Sequence, residues 1–168
     1  MESEVVFLAI QTPHDPSFEG VTPVPDQTQD FDYSFLVDAI DSIVSALKSH
    51  PEKYLDIVVI STVLPGTMRK HVLPKLQPFA DRVKFFYNPY FIAMGTTIPD
   101  FLNPEFTLVG TDSGPEGASR LVRLYRKIHT ADVRVMQIES AELTKVAYNT
   151  FIGFKIVFSN YVNEICQK

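Results

Sequence analysis

Lys145 and Asn149 are the residues whose types and spacing speak most directly of chemistry. On a helix, a separation of four places two side chains on one face, about one turn apart. An ammonium beside a carboxamide supplies N–H donors to an oxygen that gains negative charge during a reaction. Gly153, one further turn along, removes a side chain where a ligand could lie close. The same positions also read as a solvated polar face, and spacing alone leaves both readings open. A second group of polar residues follows apolar runs: Ser61 and Thr62 after Ile57–Ile60, and Gln11, Thr12 and Pro13 after Val5–Ile10. In open parallel sheets, ligands bind beyond the carboxyl ends of strands, where these side chains would stand. Strand-end turns use the same residue types, so this alternative also stays open.

Other features exclude chemistry. The single cysteine, Cys166, allows no disulfide within the chain and no cysteine-rich zinc site. It stands in an apolar-flanked helical pattern without a neighbouring histidine, as buried inert thiols do. The four histidines have no metal-ligand spacing, so no metal is expected. Asp112–Gly117 holds the last two glycines of a dinucleotide fingerprint, but Asp112 stands where the tight turn needs the first; it reads as a helix start. A net charge of -5, with scattered cations, argues against nucleic acid. No apolar run reaches the roughly 20 residues of a spanning helix, and the acidic start does not look like a secretory signal. A cytoplasmic protein is the expectation.

The elements that must position these residues follow from periodicity. Val5–Ile10 and Ile57–Ile60 are unbroken apolar runs, as in strands buried on both faces of a parallel sheet. Val83–Tyr87, Thr107–Val109 and Val133–Met136 are shorter strand candidates. Leu36, Val37, Ile40, Ile43, Val44 and Leu47 keep a helical period over Tyr33–Leu47, with Asp32 placed as cap. Leu121 to Ile128 marks a second helix, with Pro115 in its first turn. Alternating strands and helices predict an α/β fold. The proline-rich stretch 11–30 has no period and reads as a long loop. From about Ser140 to Gln167 one helix is predicted, with Leu143, Ala147, Phe151, Phe154, Phe158, Tyr161 and Ile165 as a core stripe.

Several segments, in order, resemble the UDP-glucose/GDP-mannose dehydrogenase family across nearly the whole chain. They are Phe7–Pro13, Phe31–Leu36, Ser61–Thr67, Asn88–Gly95 and Ala141–Asn149, the last leading into Lys155–Asn160 and Asn163–Cys166. The resemblance implies a Rossmann-like parallel-sheet domain at 1–138 and the start of a central, dimerising helical domain at 139–168. It implies NAD as cofactor and a nucleotide sugar as substrate, oxidised at C6 towards the uronate. Lys145 and Asn149 fall on the family's catalytic Lys and Asn, and Thr62 on its threonine beside the nicotinamide. Gln11, Thr12, Pro13 and Ser61 fall on cofactor-side loops. Tyr90, Phe91, Ile92, Met94 and Gly153 fall with Lys145 and Asn149 on the substrate side. Tyr90 and Met94 replace family carboxylates that serve thioester hydrolysis, so either another group activates water or the product differs. Asn103–Phe106 mimics the family's loop motif out of register and is set aside. The family's Gly-rich fingerprint and nucleophilic cysteine are expected outside this sequence, which predicts that the chain alone is inactive. A 6-phosphogluconate-type hydroxyacid dehydrogenase and a non-catalytic assembly module are the rival readings.

Overall fold

A computed structural model describes residues 4–18, 26, 28–93 and 95–168. Five strands form one sheet in the order β1-β2-β3-β4-β5: β1 Val5–Leu8, β2 Leu55–Val59, β3 Val83–Tyr87, β4 Thr107–Gly110 and β5 Val133–Met136. Six α-helices accompany them among the described residues: α1 Ser34–Ser49, α2 Leu73–Leu76, α3 Thr97–Leu102, α4 Gly114–Gly117, α5 Ser119–Tyr125 and α6 Ile138–Cys166. A π-helical turn, Met68–Val72, leads into α2.

Helices on both faces of the sheet explain the unbroken apolar run of β2, which is buried throughout, whereas β1 is an edge strand on which Phe7 is exposed, against the expectation. On one face Ile57, Val59, Phe85, Tyr87 and Leu108 pack with Leu36, Ile40 and Leu47 of α1 and with Ile138 and Ala141 of α6. On the other, Val58, Phe86 and Val109 meet Leu121 and Tyr125 of α5. The fold is therefore α/β, as expected. Asp32 accepts the Ser34 N–H at 2.8 Å, one residue outside the position of a formal cap.

Three further expectations are corrected. The sheet is mixed: β1, β2 and β3 run parallel, as do β4 and β5, but β3 and β4 are antiparallel and pair only through Tyr87 and Gly110. A parallel return needs a crossover along the sheet, and the segment after β3 has only the six-residue α3. It stays near the carboxyl ends, and β4 runs back beside the exit from β3, where Asn88 Nδ2 donates to the Leu108 carbonyl at 2.6 Å. The second predicted helix is divided into α4 and α5 at Ala118 and ends at Tyr125, short of Ile128; Pro115 does sit in the first turn of α4. Finally, the stripe on α6 is no core of this chain. Leu143 is 58% exposed and Phe151 62%, and Phe154, Phe158, Tyr161 and Ile165 are open as well. Only Ile138, Ala141, Glu142 and Lys145 of α6 are buried, because no other element among the described residues covers the rest.

Candidate functional site

The first turns of α6 cross β4 so closely that only glycine fits beneath. A Cβ on Gly110 would stand 2.7 Å from Ala141 Cβ and 3.1 Å from Ile138 Cα. This approach brings Lys145, 6% exposed, against the segment leaving β3. Its Nζ donates to the Tyr90 carbonyl at 2.8 Å and to Asn149 Oδ1 at 3.2 Å, and lies 4.7 Å from the centre of the Phe91 ring. Every one of these partners is uncharged, and no carboxylate lies within ion-pair distance of Lys145 among the described residues. Burial accordingly pulls the Lys145 pKa down. An ammonium has three donors, so one remains for a ligand. Lys145 and Asn149 border a cleft of about 460 Å³ with Phe91, Ile92, Tyr148 and Ile152.

Thr62 and Lys145 belong to the same edge of the sheet. Asn88, two residues before Tyr90, donates its N–H to the Val59 carbonyl at the end of β2. Glu142, one turn before Lys145, closes the link: its carboxylate accepts the N–H groups of Gly66 at 2.6 Å and Met68 at 2.8 Å, just past Thr62. Gly66 takes a φ of 91°, open to glycine at little cost, and so turns its N–H inward. Burial pushes the Glu142 pKa up, against the two N–H bonds that pull it down. Sequence reasoning assigned Glu142 no role. Its signal was a carboxylate three residues before Lys145 in the buried part of the helix.

The cofactor-side residues divide. The Ser61 hydroxyl is buried and accepts the Ile10 N–H at 3.1 Å while donating to the Ile10 carbonyl. Thr12 Oγ1 donates to the Thr62 carbonyl at 2.8 Å, and the Pro13 carbonyl accepts the Asp32 N–H. The Ser61 and Thr12 bonds fasten the ends of β1 and β2 to one another, and the Pro13 bond ties the loop after β1 to the entry of α1. The side chains of Gln11 and Thr62 are not fully buried and have no side-chain hydrogen-bond partner among the described residues. An amide and a hydroxyl at strand ends suit the carboxamide end of a dinucleotide, whereas no complete Gly-rich phosphate loop occurs in the sequence.

On the substrate side, Phe91 and Ile92 line the cleft; Gly153 lies beyond its lining, with open space where a Cβ would be. Met94 lies outside the described residues. Tyr90 corrects its expectation: only its carbonyl reaches the site. Its ring packs on Phe101, its hydroxyl pairs with that of Tyr125 at 3.0 Å, and Tyr125 in turn donates to Asn88 Oδ1. A phenol fits this buried pocket because Tyr125 satisfies it, and burial raises its pKa. Glu105, set aside with its out-of-register motif, does border the cleft.

Comparison with known proteins places the chain in a family. The chain is 29% identical over 137 residues to UDP-glucose 6-dehydrogenase of Rickettsia conorii, covering 82% of this chain and 30% of that protein. It is 31% identical over 143 residues to GDP-mannose 6-dehydrogenase of Azotobacter vinelandii, covering 82% and 32%. The chain thus spans about a third of the length of these relatives. The crystal structure of a ternary complex of GDP-mannose dehydrogenase from Pseudomonas aeruginosa superimposes with a TM-score of 0.79 at 26% identity, covering 95% of this chain and 34% of that one. Residues 1–129 match the profile of the NAD binding domain of one family, which sets NAD as the cofactor of this fold. With the profile covering most of its length, the chain belongs to the UDP-glucose/GDP-mannose dehydrogenase family.

Proposed function

We propose that the chain is part of a nucleotide-sugar 6-dehydrogenase that oxidises the sugar C6 hydroxyl towards the uronate. The observation that carries this reading is Lys145, a buried cation whose partners among the described residues are all neutral and which holds one N–H free at the border of a cleft. A buried charge without an opposite charge is costly, and an oxygen that gains negative charge relieves that cost. NAD supplies the hydride acceptor of the reaction when bound. Lys145 and the Asn149 amide donate hydrogen bonds to the oxygen on which negative charge grows, and Phe91 keeps water from one side of the ammonium. Thr62 and Gln11 offer polar groups to the nicotinamide end, with Ser61, Thr12 and Pro13 shaping the loops that carry them. The exposed aromatic face of α6 supports pairing with a second copy of the chain.

Calorimetric titration with UDP-glucose and GDP-mannose tests the reading. Saturable binding of one of them is expected, weakened about 10- to 100-fold in Lys145→Ala, the loss of one charge-assisted hydrogen bond. Absence of saturable binding for both ligands would overturn it. Neither rival reading, hydroxyacid dehydrogenase or assembly module, has an observation of its own in its favour.

A further inference from the structure

Position 90 gives the cleft no carboxylate, because Tyr90 is turned into the Tyr125 pocket. A carboxylate reaches the same cleft from the loop between α3 and β4. Glu105 borders it together with Lys145 and Asn149. Its Oε2 accepts the Tyr148 hydroxyl at 3.1 Å. The Tyr148 ring stands on α6 and packs edge-on against Phe91, with centroids 4.7 Å apart, while Phe106, the residue after Glu105, packs against both. An aromatic cluster thus fixes the relation between the loop that carries Glu105 and the helix that carries Lys145. Glu105 Oε1 has no hydrogen-bond partner among the described residues. The cleft's other carboxylate, Asp100, is committed to its own loop through the Ala93 N–H and the Thr96 hydroxyl.

Building on the function proposed above, we propose that Glu105, oriented by Tyr148, is a specificity-determining residue that accepts hydrogen bonds from hydroxyls of the sugar in this cleft. An ionised carboxylate only accepts, and the Lys145 ammonium only donates. A ligand that satisfies both must donate and accept within a short span, as a polyhydroxylated ring does. Phe91, Ile92 and Ile152 offer apolar surface to the C–H side of such a ring. A phosphate fits poorly beside Glu105, since like charges repel. The cleft therefore takes the neutral sugar end of a nucleotide sugar and leaves the diphosphate elsewhere.

The test compares UDP-glucose with UDP, and GDP-mannose with GDP, on the whole chain by calorimetry, with thermal midpoints recorded for each variant. The sugar nucleotide should bind more tightly than the bare nucleotide. Glu105→Ala should remove about 10-fold of that advantage, and Tyr148→Phe about 3-fold, with bare-nucleotide affinity and midpoint unchanged. Glu105 is exposed, so its replacement leaves the core intact. An unchanged sugar advantage in Glu105→Ala, or an equal loss for nucleotide and sugar nucleotide, would overturn the role of Glu105 alone. Wild-type protein that binds neither sugar nucleotide would overturn the proposed function and this role with it.

Discussion

Glu142 and Lys145 show how two buried charges, one turn apart, are treated differently. The carboxylate is satisfied by two backbone N–H groups, the ammonium by a carbonyl, an amide oxygen and a ring face. In Glu142→Gln one of the two N–H donors would face an amide nitrogen, which cannot accept. The expected loss is about 1–3 kcal/mol of stability at neutral pH in urea unfolding, the cost of a buried donor left unpaired. The pH dependence has a definite sign. Burial raises the folded pKa above 4.5, so in the window from 4.5 up to that raised value the folded chain holds a proton the unfolded chain has lost. Stability then falls as pH rises through the window. The glutamine variant lacks this component, so the gap between the two proteins should narrow from acid towards neutral pH. A gap that widens would contradict the assignment. At this scale the sequence was legible where partners are near neighbours: the Lys145–Asn149 contact follows from helical spacing. It was silent where they are far apart. Glu142 meets Gly66 across 76 residues and Tyr148 meets Glu105 across 43, and no local pattern encodes such a pairing.

Among elements, the strands were the most readable because β-rich apolar runs change little when both faces are covered. The direction of β4 was not. It depends on how the segment after β3 folds beside the strand ends, and so on contacts such as Asn88 to Leu108 that periodicity does not express. Nor did periodicity distinguish the apolar face of α6 from a core stripe, since both look alike until a covering element is present or missing. The crossing of β4 by α6 is the contact on which the site's position depends. Gly110→Ala should cost about 1–3 kcal/mol, since the new methyl meets Ala141 Cβ and the backbone at Ile138 rather than a flexible tip. Chemical denaturation measures the loss. An undiminished midpoint would mean that the helix sits less close to the strand than this.

For the whole molecule, the dominant feature is the outer part of α6. Phe151, Phe154, Phe158 and Tyr161 are each more than half exposed, a larger apolar face than a lone domain usually shows to water. Sedimentation of the wild-type chain should report self-association. Phe154→Glu together with Phe158→Glu should shift it towards monomer without lowering the thermal midpoint, because neither ring touches the core of its own chain. A wild-type chain that stays monomeric at high concentration would refute the pairing.

The clasp at Glu142 has a mechanical consequence. α6 is 29 residues long, a rod of about 43 Å at 1.5 Å per residue. Its anchored end grips the turn after β2 with one side chain and carries the ammonium on the next turn. The outer end carries the exposed aromatic face proposed above for pairing. A twist or tilt applied out there would travel down the rod and shift both grips together, so that the donor and the strand-end turn stay in mutual alignment while their place above the sheet changes.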